Sequence, residues 1–152
     1  MAGATRSITI NAPREKVFEV IIDVERYPEF LPEVKGIKVS NKRNNESDVH
    51  YLAEIVKTIK YTVRLKEEKP SRVSWTFVDG ELMKDNRGSW ELEDLGNDTT
   101  KATYHIEIAL GALVPKTIVT ALVDTQLPKM LENFKRRAEA HGHARSQKRA
   151  RG

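Results

Sequence analysis

The segment Val114–Ala140, VPKTIVTALVDTQLPKMLENFKRRAEA, is the longest stretch of the chain with a helical repeat. Ile118, Val119, Leu122, Val123, Leu127, Met130, Leu131, Phe134 and Ala138 recur at steps of three and four. That spacing lays them on one stripe of an α-helix. Lys116, Asp124, Lys129, Glu132, Lys135 and Arg136 occupy the other side. Pro115 suits a first helical turn, where its missing N–H has no partner to lose. Pro128 is interior. It removes one bond of the ladder and crowds the carbonyl four residues back, which predicts a kink or break near Asp124–Gln126. So long a stripe needs an apolar surface to cover, and the chain before it supplies strands.

Those strands read from alternation. Ile59, Tyr61, Val63 and Leu65 share one face against Lys60, Thr62, Arg64 and Lys66, a clean period of two. Val49, Tyr51, Ala53 and Ile55 form the face before it; Val73, Trp75 and Phe77 form the face after it. Gly88, Trp90 and Leu92 lie on one side of Met83–Leu95, and Ala102, Tyr104, Ile106, Ile108 and Leu110 complete the series. Shorter strands are expected at Thr5–Asn11 and Val34–Lys42. Asn41–Ser47, Lys69-Pro70-Ser71, Asp79-Gly80 and Gly96-Asn97-Asp98 are turn signals. Between the first two strands, Asn11-Ala12-Pro13 opens a helix that buries Val17, Phe18, Val20, Ile21 and Val24. A second short helix, Asp23–Leu31, stops at Pro32. Strands joined by short turns pair antiparallel. The class is α+β: six or seven antiparallel strands, two short helices after the first, and one long C-terminal helix.

The 152 residues fit one domain, taken as 1–140, with a core of useful size. Charged residues make up 32 % of the chain and cysteine is absent, so disulfides and thiol catalysis are excluded and a reducing compartment is permitted. No apolar run reaches signal-peptide or membrane-span length, and a cytoplasmic protein without integral membrane association is expected. The net charge of +4 is uneven. Lys135, Arg136, Arg137, Arg145, Lys148, Arg149 and Arg151 face only Glu139 after residue 134, while the body is close to neutral. Residues 141–152 lack large apolar side chains and read as a basic, disordered tail. Such a tail suits contact with RNA, the ribosome or an anionic surface, or simply keeps the chain soluble.

The inward strand faces are rich in rings. A twisted sheet curled about one helix closes poorly at its ends, which predicts an apolar cavity with tyrosine hydroxyls as polar handles. The residues expected to line it are Tyr27, Phe30, Tyr51, Tyr61, Val63, Trp75, Phe77, Trp90, Tyr104, Ile106, Leu122 and Met130. Trp75 and Phe77 read first as core. For Tyr61, Trp90 and Tyr104, core and cavity weigh equally, because a buried O–H or N–H needs a partner.

Ile10-Asn11-Ala12-Pro13 with Val17-Phe18, then Asp23 and Tyr27-Pro28-Glu29-Phe30-Leu31-Pro32, resembles the start of the polyketide cyclase/dehydrase and lipid-transport family. Leu127-Pro128 with Leu131-Glu132-Asn133-Phe134-Lys135 resembles its end. The likeness runs from about Arg6 to Ala140. This family belongs to the START-like, helix-grip (SRPBCC) superfamily, and its relatives include coenzyme-Q-binding proteins and a ribosome-association toxin. The resemblance implies a deep apolar cavity, a gate at residues 23–32 and hydrophobic ligands. Family members include binders, carriers and ring-closing enzymes, so chemistry stays open.

Catalytic signatures are lacking. The chain has no Gly-rich phosphate loop, nucleophile elbow or His-Glu-x-x-His, and its scattered histidines predict neither metal nor cofactor. His50 and His105 fall in the outward phase. A cyclase would need positioning and a donor to steady an enolate. Tyr61 and Tyr104 are the candidates, with Arg64 only if it turns inward against its phase. Three functions follow as expectations: binding or carriage of a lipid, quinone or polycyclic aromatic; polyketide aromatase/cyclase or dehydrase activity; and ribosome-associated regulation of translation.

Overall fold

A computed structural model describes residues 2–54 and 57–151, and side chains within 3–140. The strands are β1 (Ala2–Ile10), β2 (Val34–Arg43), β3 (Glu46–Glu54), β4 (Thr58–Glu68), β5 (Arg72–Gly80), β6 (Met83–Gly96) and β7 (Thr99–Leu110). They form one antiparallel sheet in the order β1-β7-β6-β5-β4-β3-β2. Every neighbour after β1 is a hairpin partner, and β1 alone crosses over to join β7. Ile55, expected on the β3 face, lies outside the described residues.

Curvature comes from interrupted registers. The ladders slip at Val34/Gly36 and Ser40/Arg43 in β2–β3, at Thr62/Val63 in β4–β5, and at Met83/Asp85 and Asp94/Gly96 in β6–β7. Each extra residue bends its strand and adds twist. The described pairing of β5 with β6 runs only from Arg72–Glu91 to Trp75–Gly88. One turn falls later than expected. β5 continues through Asp79-Gly80, and the chain reverses at Glu81–Leu82, where Leu82 takes a positive φ of 55°.

Between β1 and β2 lie α1 (Arg14–Ile22) and a 3-10 helix (Val24–Glu29) that contains Pro28. Pro13 precedes α1, and its carbonyl accepts from the N–H groups of Lys16 and Val17; Pro115 likewise precedes α2 rather than entering its first turn. After β7 come α2 (Lys116–Ala121), a π turn (Leu122–Gln126) and α3 (Leu127–Arg151). The expected break at Pro128 is thus a wide turn. Leu127 N–H donates to the carbonyl of Leu122, five residues back. A ladder of that reach relieves the missing proline N–H and the crowded carbonyl together.

The helix does two jobs. In α3, Leu127, Leu131, Phe134 and Ala138 are buried in one core cluster with Val17, Phe18 and Ile21 of α1 and Trp90, Leu92 and Ala102 of β6 and β7, and Phe134 meets the Trp90 ring. Burying a side chain such as Phe134 contributes about 1.5–3 kcal/mol. In α2 no residue is fully buried. The separate tail expected at 141–152 falls where no side chain is described.

Candidate functional site

Between the concave sheet face and the α2–π turn–α3 cover lies a cavity of about 490 Å³. Strand register builds its rings in pairs. Tyr51 faces Tyr61 across β3–β4, and the two stack with centroids 4.9 Å apart and planes 10° from parallel. Trp90 faces Tyr104 across β6–β7 at 4.9 Å, edge to face. Trp75 lies 5.5 Å from Tyr104, and Phe134 reaches down from α3 to 5.1 Å from Trp90. Tyr27, from the 3-10 helix, meets Phe134 edge-on at 5.3 Å and closes the arc.

Of the residues expected to line a cavity, Tyr27, Tyr51, Tyr61, Val63, Trp75, Trp90, Tyr104, Leu122 and Met130 do so. Three do not. Phe30 stacks edge-on with Tyr27 and Phe134 behind the wall, with the guanidinium of Arg137 5.2 Å above its ring. Phe77 stands along β5 beyond Trp75, against Gly80. Ile106 packs at the margin of the core. Arg64 does not turn inward. Its Nε donates to Asp48 at 2.9 Å on the outer face, where that bond and a second from Asn41 hold the Asp48 carboxyl below its usual range. His50 is also outside, bridged to Ser40 at 2.6 Å and Thr62 at 2.8 Å. His105 meets Thr5 at 2.7 Å.

Alternation missed the polar lining. Trp75 Nε1 donates to Oδ1 of buried Asn86 at 3.0 Å. Asn86 shares the inward phase of Gly88 and Trp90, so a polar residue in an apolar phase was the available signal. Glu33, directly after Pro32, also lines the cavity. Its Oε1 is buried without a hydrogen-bond partner, a state that costs about 1–3 kcal/mol. Burial raises the Glu33 carboxyl above its usual pKa, against its own backbone N–H and Lys35. Beside it, Lys35 pairs with Glu54 at 3.5 Å.

The tyrosines stay protonated donors. Burial pushes the hydroxyls of Tyr27, Tyr51, Tyr61 and Tyr104 up, and the Glu33 charge adds to the effect at Tyr61. Tyr27 donates to the carbonyl of Ile21. Among the described residues, the hydroxyls of Tyr51, Tyr61 and Tyr104 have no partner of that kind. Nor do the described residues include a group of three or more His, Cys, Asp or Glu placed to hold a metal ion.

The sequence profile described as "Polyketide cyclase / dehydrase and lipid transport" matches residues 10–135. The chain belongs to this family. Within reach of it is the ribosome association toxin RatA of Vibrio cholerae, 26% identical over 146 residues, covering 91% of this chain and 96% of the toxin. The fold is similar to that of the Zhui aromatase/cyclase from Streptomyces sp. R1128, at 15% identity and a TM-score of 0.82 over 91% of this chain and 93% of that one. A START superfamily protein from Mycobacterium smegmatis superposes with a TM-score of 0.80 at 17% identity, over 91% and 97% of the two chains. The family member described here therefore has the helix-grip fold of the START-like superfamily. No helix among its described residues is long and apolar enough to cross a membrane.

Proposed function

We propose that this protein binds or carries an apolar, ring-bearing small molecule in the cavity between the sheet and the C-terminal helix. The observation that carries the reading is the cavity itself: about 490 Å³, walled by Tyr51, Tyr61, Trp75, Trp90, Tyr104 and Phe134. A volume of that size lies in the range of small-molecule pockets, which are apolar with a few directed polar groups. No acid–base pair with nucleophile geometry accompanies the rings among the described residues, so binding explains more of the site than turnover does. If ring closure occurs, Tyr61 and Tyr104 are the donors at hand to steady an enolate.

Native mass spectrometry of freshly purified protein, followed by calorimetric titration with fused-ring aromatics, quinones and lipids, tests the reading. A co-purifying apolar molecule, or a raised melting temperature with one of these classes, supports it. A complete absence of binding across the panel refutes it.

A second reading is association with the ribosome. It draws on the similarity to RatA, which extends over nearly the whole of both chains. Here 141–152 serves as a basic appendage to the domain 1–140, and its lysines and arginines meet RNA phosphates in a salt-dependent way. Cosedimentation with ribosomal subunits, full-length protein against residues 1–140, tests it. Both readings assume a cytoplasmic protein.

A further inference from the structure

The cavity is polar at one end. Glu33, Lys35, Glu54 and Tyr61 line it near the start of β2 and the end of β3, Leu65, four residues along β4 from Tyr61, and Val73 line it farther off, and Asn86 and Gln126 add two neutral polar groups. Four strand residues span about 13 Å. An occupant long enough to touch both ends is therefore sorted by the chemistry of its two ends.

At the polar end one cation and two carboxylates converge. Lys35 is paired with Glu54. Glu33 is left over, with Oε1 buried and unpartnered. Its main chain is held, since its carbonyl accepts from Glu54 N–H at 2.8 Å. The terminal torsion of a glutamate is broad, so either oxygen can turn to the cavity without moving that main chain. Tyr61 lines the same cavity on β4, the strand whose Thr58 pairs with Glu54, the residue that holds the Glu33 main chain. The polar end thus presents an unpartnered carboxylate oxygen and, on Tyr61 and the Tyr51 stacked against it, unpartnered phenolic donors.

We propose that the cavity selects a neutral ring-bearing molecule with a hydroxyl group, and that this hydroxyl lies between Glu33 and Tyr61, donating to the carboxylate and accepting from the phenol. The inference rests on the ligand-binding reading above. A hydroxyl is the smallest group that both donates and accepts. A methyl ether satisfies Tyr61 and leaves Glu33 without a donor. A carboxylate head group adds a negative charge beside Glu33 and Glu54, where the single cation is already engaged, so an anionic amphiphile is rejected.

The test is calorimetric titration of the full chain at pH 7 with 2-naphthol, 2-methoxynaphthalene and 2-naphthoate. Wild-type protein binds 2-naphthol about tenfold more tightly than the ether, the return expected of a hydrogen bond to a charged acceptor. The 2-naphthoate binds most weakly. Glu33→Leu removes the naphthol advantage and keeps the ether; Tyr61→Phe weakens naphthol and ether alike. Equal wild-type affinity for naphthol and ether overturns the hydroxyl assignment while the cavity still binds ligands. An advantage that persists in Glu33→Leu overturns the role of that residue. Failure of all the probes to bind removes the ligand-binding reading and this inference together. Should Glu33→Leu not fold, the wild-type ranking and Tyr61→Phe decide the matter.

Discussion

The indole of Trp75 lies against the bare backbone of Gly88: a Cβ at residue 88 would stand 2.7 Å from Trp75 Cζ2 and 2.1 Å from the carbonyl oxygen of His105. The residues are cross-strand partners in β5–β6. Absence of a side chain at 88 is what lets the ring settle on the sheet and leave the cavity open. Gly88→Ala meets a backbone oxygen that cannot rotate away. Overpacking of this kind costs about 1–3 kcal/mol, and for a chain of this length that lowers the melting temperature by roughly 2–12 °C. Displaced into the cavity, Trp75 also weakens ligand binding. A scan with and without ligand reads both.

Phe134 is 4 % exposed and touches the rings of Tyr27, Phe30 and Trp90. Phe134→Ala deletes a ring shared by the core and the cavity wall. Urea unfolding should show a loss of about 3–5 kcal/mol. Because the void opens into the cavity, an apolar ligand recovers part of the loss, which a buried void elsewhere would not allow.

Two carboxylates predict opposite pH behaviour. Asp48 is held below its usual value by the Arg64 hydrogen bond, then by Asn41. Its contribution is present above the ordinary aspartate range and disappears as pH falls through its depressed folded value. Asp48→Asn therefore destabilises at pH 7, and the difference narrows in acid. Glu33 is raised by burial. Its contribution is present below the ordinary glutamate range and is lost as pH rises through its elevated folded value. Glu33→Gln therefore stabilises at pH 7 and becomes neutral in acid. Urea midpoints of both variants from pH 3 to pH 7 check the signs; parallel curves would contradict the assignment.

Arg137 donates from α3 to Glu29 at 2.6 Å and covers the ring of Phe30. These contacts tie the 3-10 helix and Phe30 to α3, and Arg26 adds a 3.6 Å contact to the same carboxylate. Exposed pairs contribute little, so Arg137→Ala should cost no more than about 1 kcal/mol. Under the binding proposal, with residues 23–32 as the gate that the family resemblance implies, its larger effect is kinetic. Ligand release, followed by stopped-flow displacement, should quicken far more than stability falls, and salt should mimic the substitution in wild-type protein.

The faces of β3 to β7 were legible in the sequence because each strand has one dry side, and a period of two reports which side it is. Alternation carries no information on how far along a strand the hollow extends. That is why Trp75 lines it while Phe77, in the same phase, does not. It also scores only apolar residues, so Asn86 and Glu33 escaped. Asp79-Gly80 misled because turn propensity is local. The reversal at Leu82 is set by β7 next door, where Gly111 N–H donates to the Leu82 carbonyl at 2.8 Å. Pro128 announced an irregularity, but a broken helix and a widened one share that signature, and only packing of both flanking halves selects the second.

The wide turn before Pro128 separates two mechanical duties within one rod. Ile118 and Leu122 meet the cavity on the cover side of that turn, Leu131 and Ala138 are buried on the other, and Phe134 alone of the buried anchor also walls the cavity. Under the binding proposal, substitutions in the cover would change residence time more than thermal endurance, and substitutions in the buried half of the rod would do the reverse.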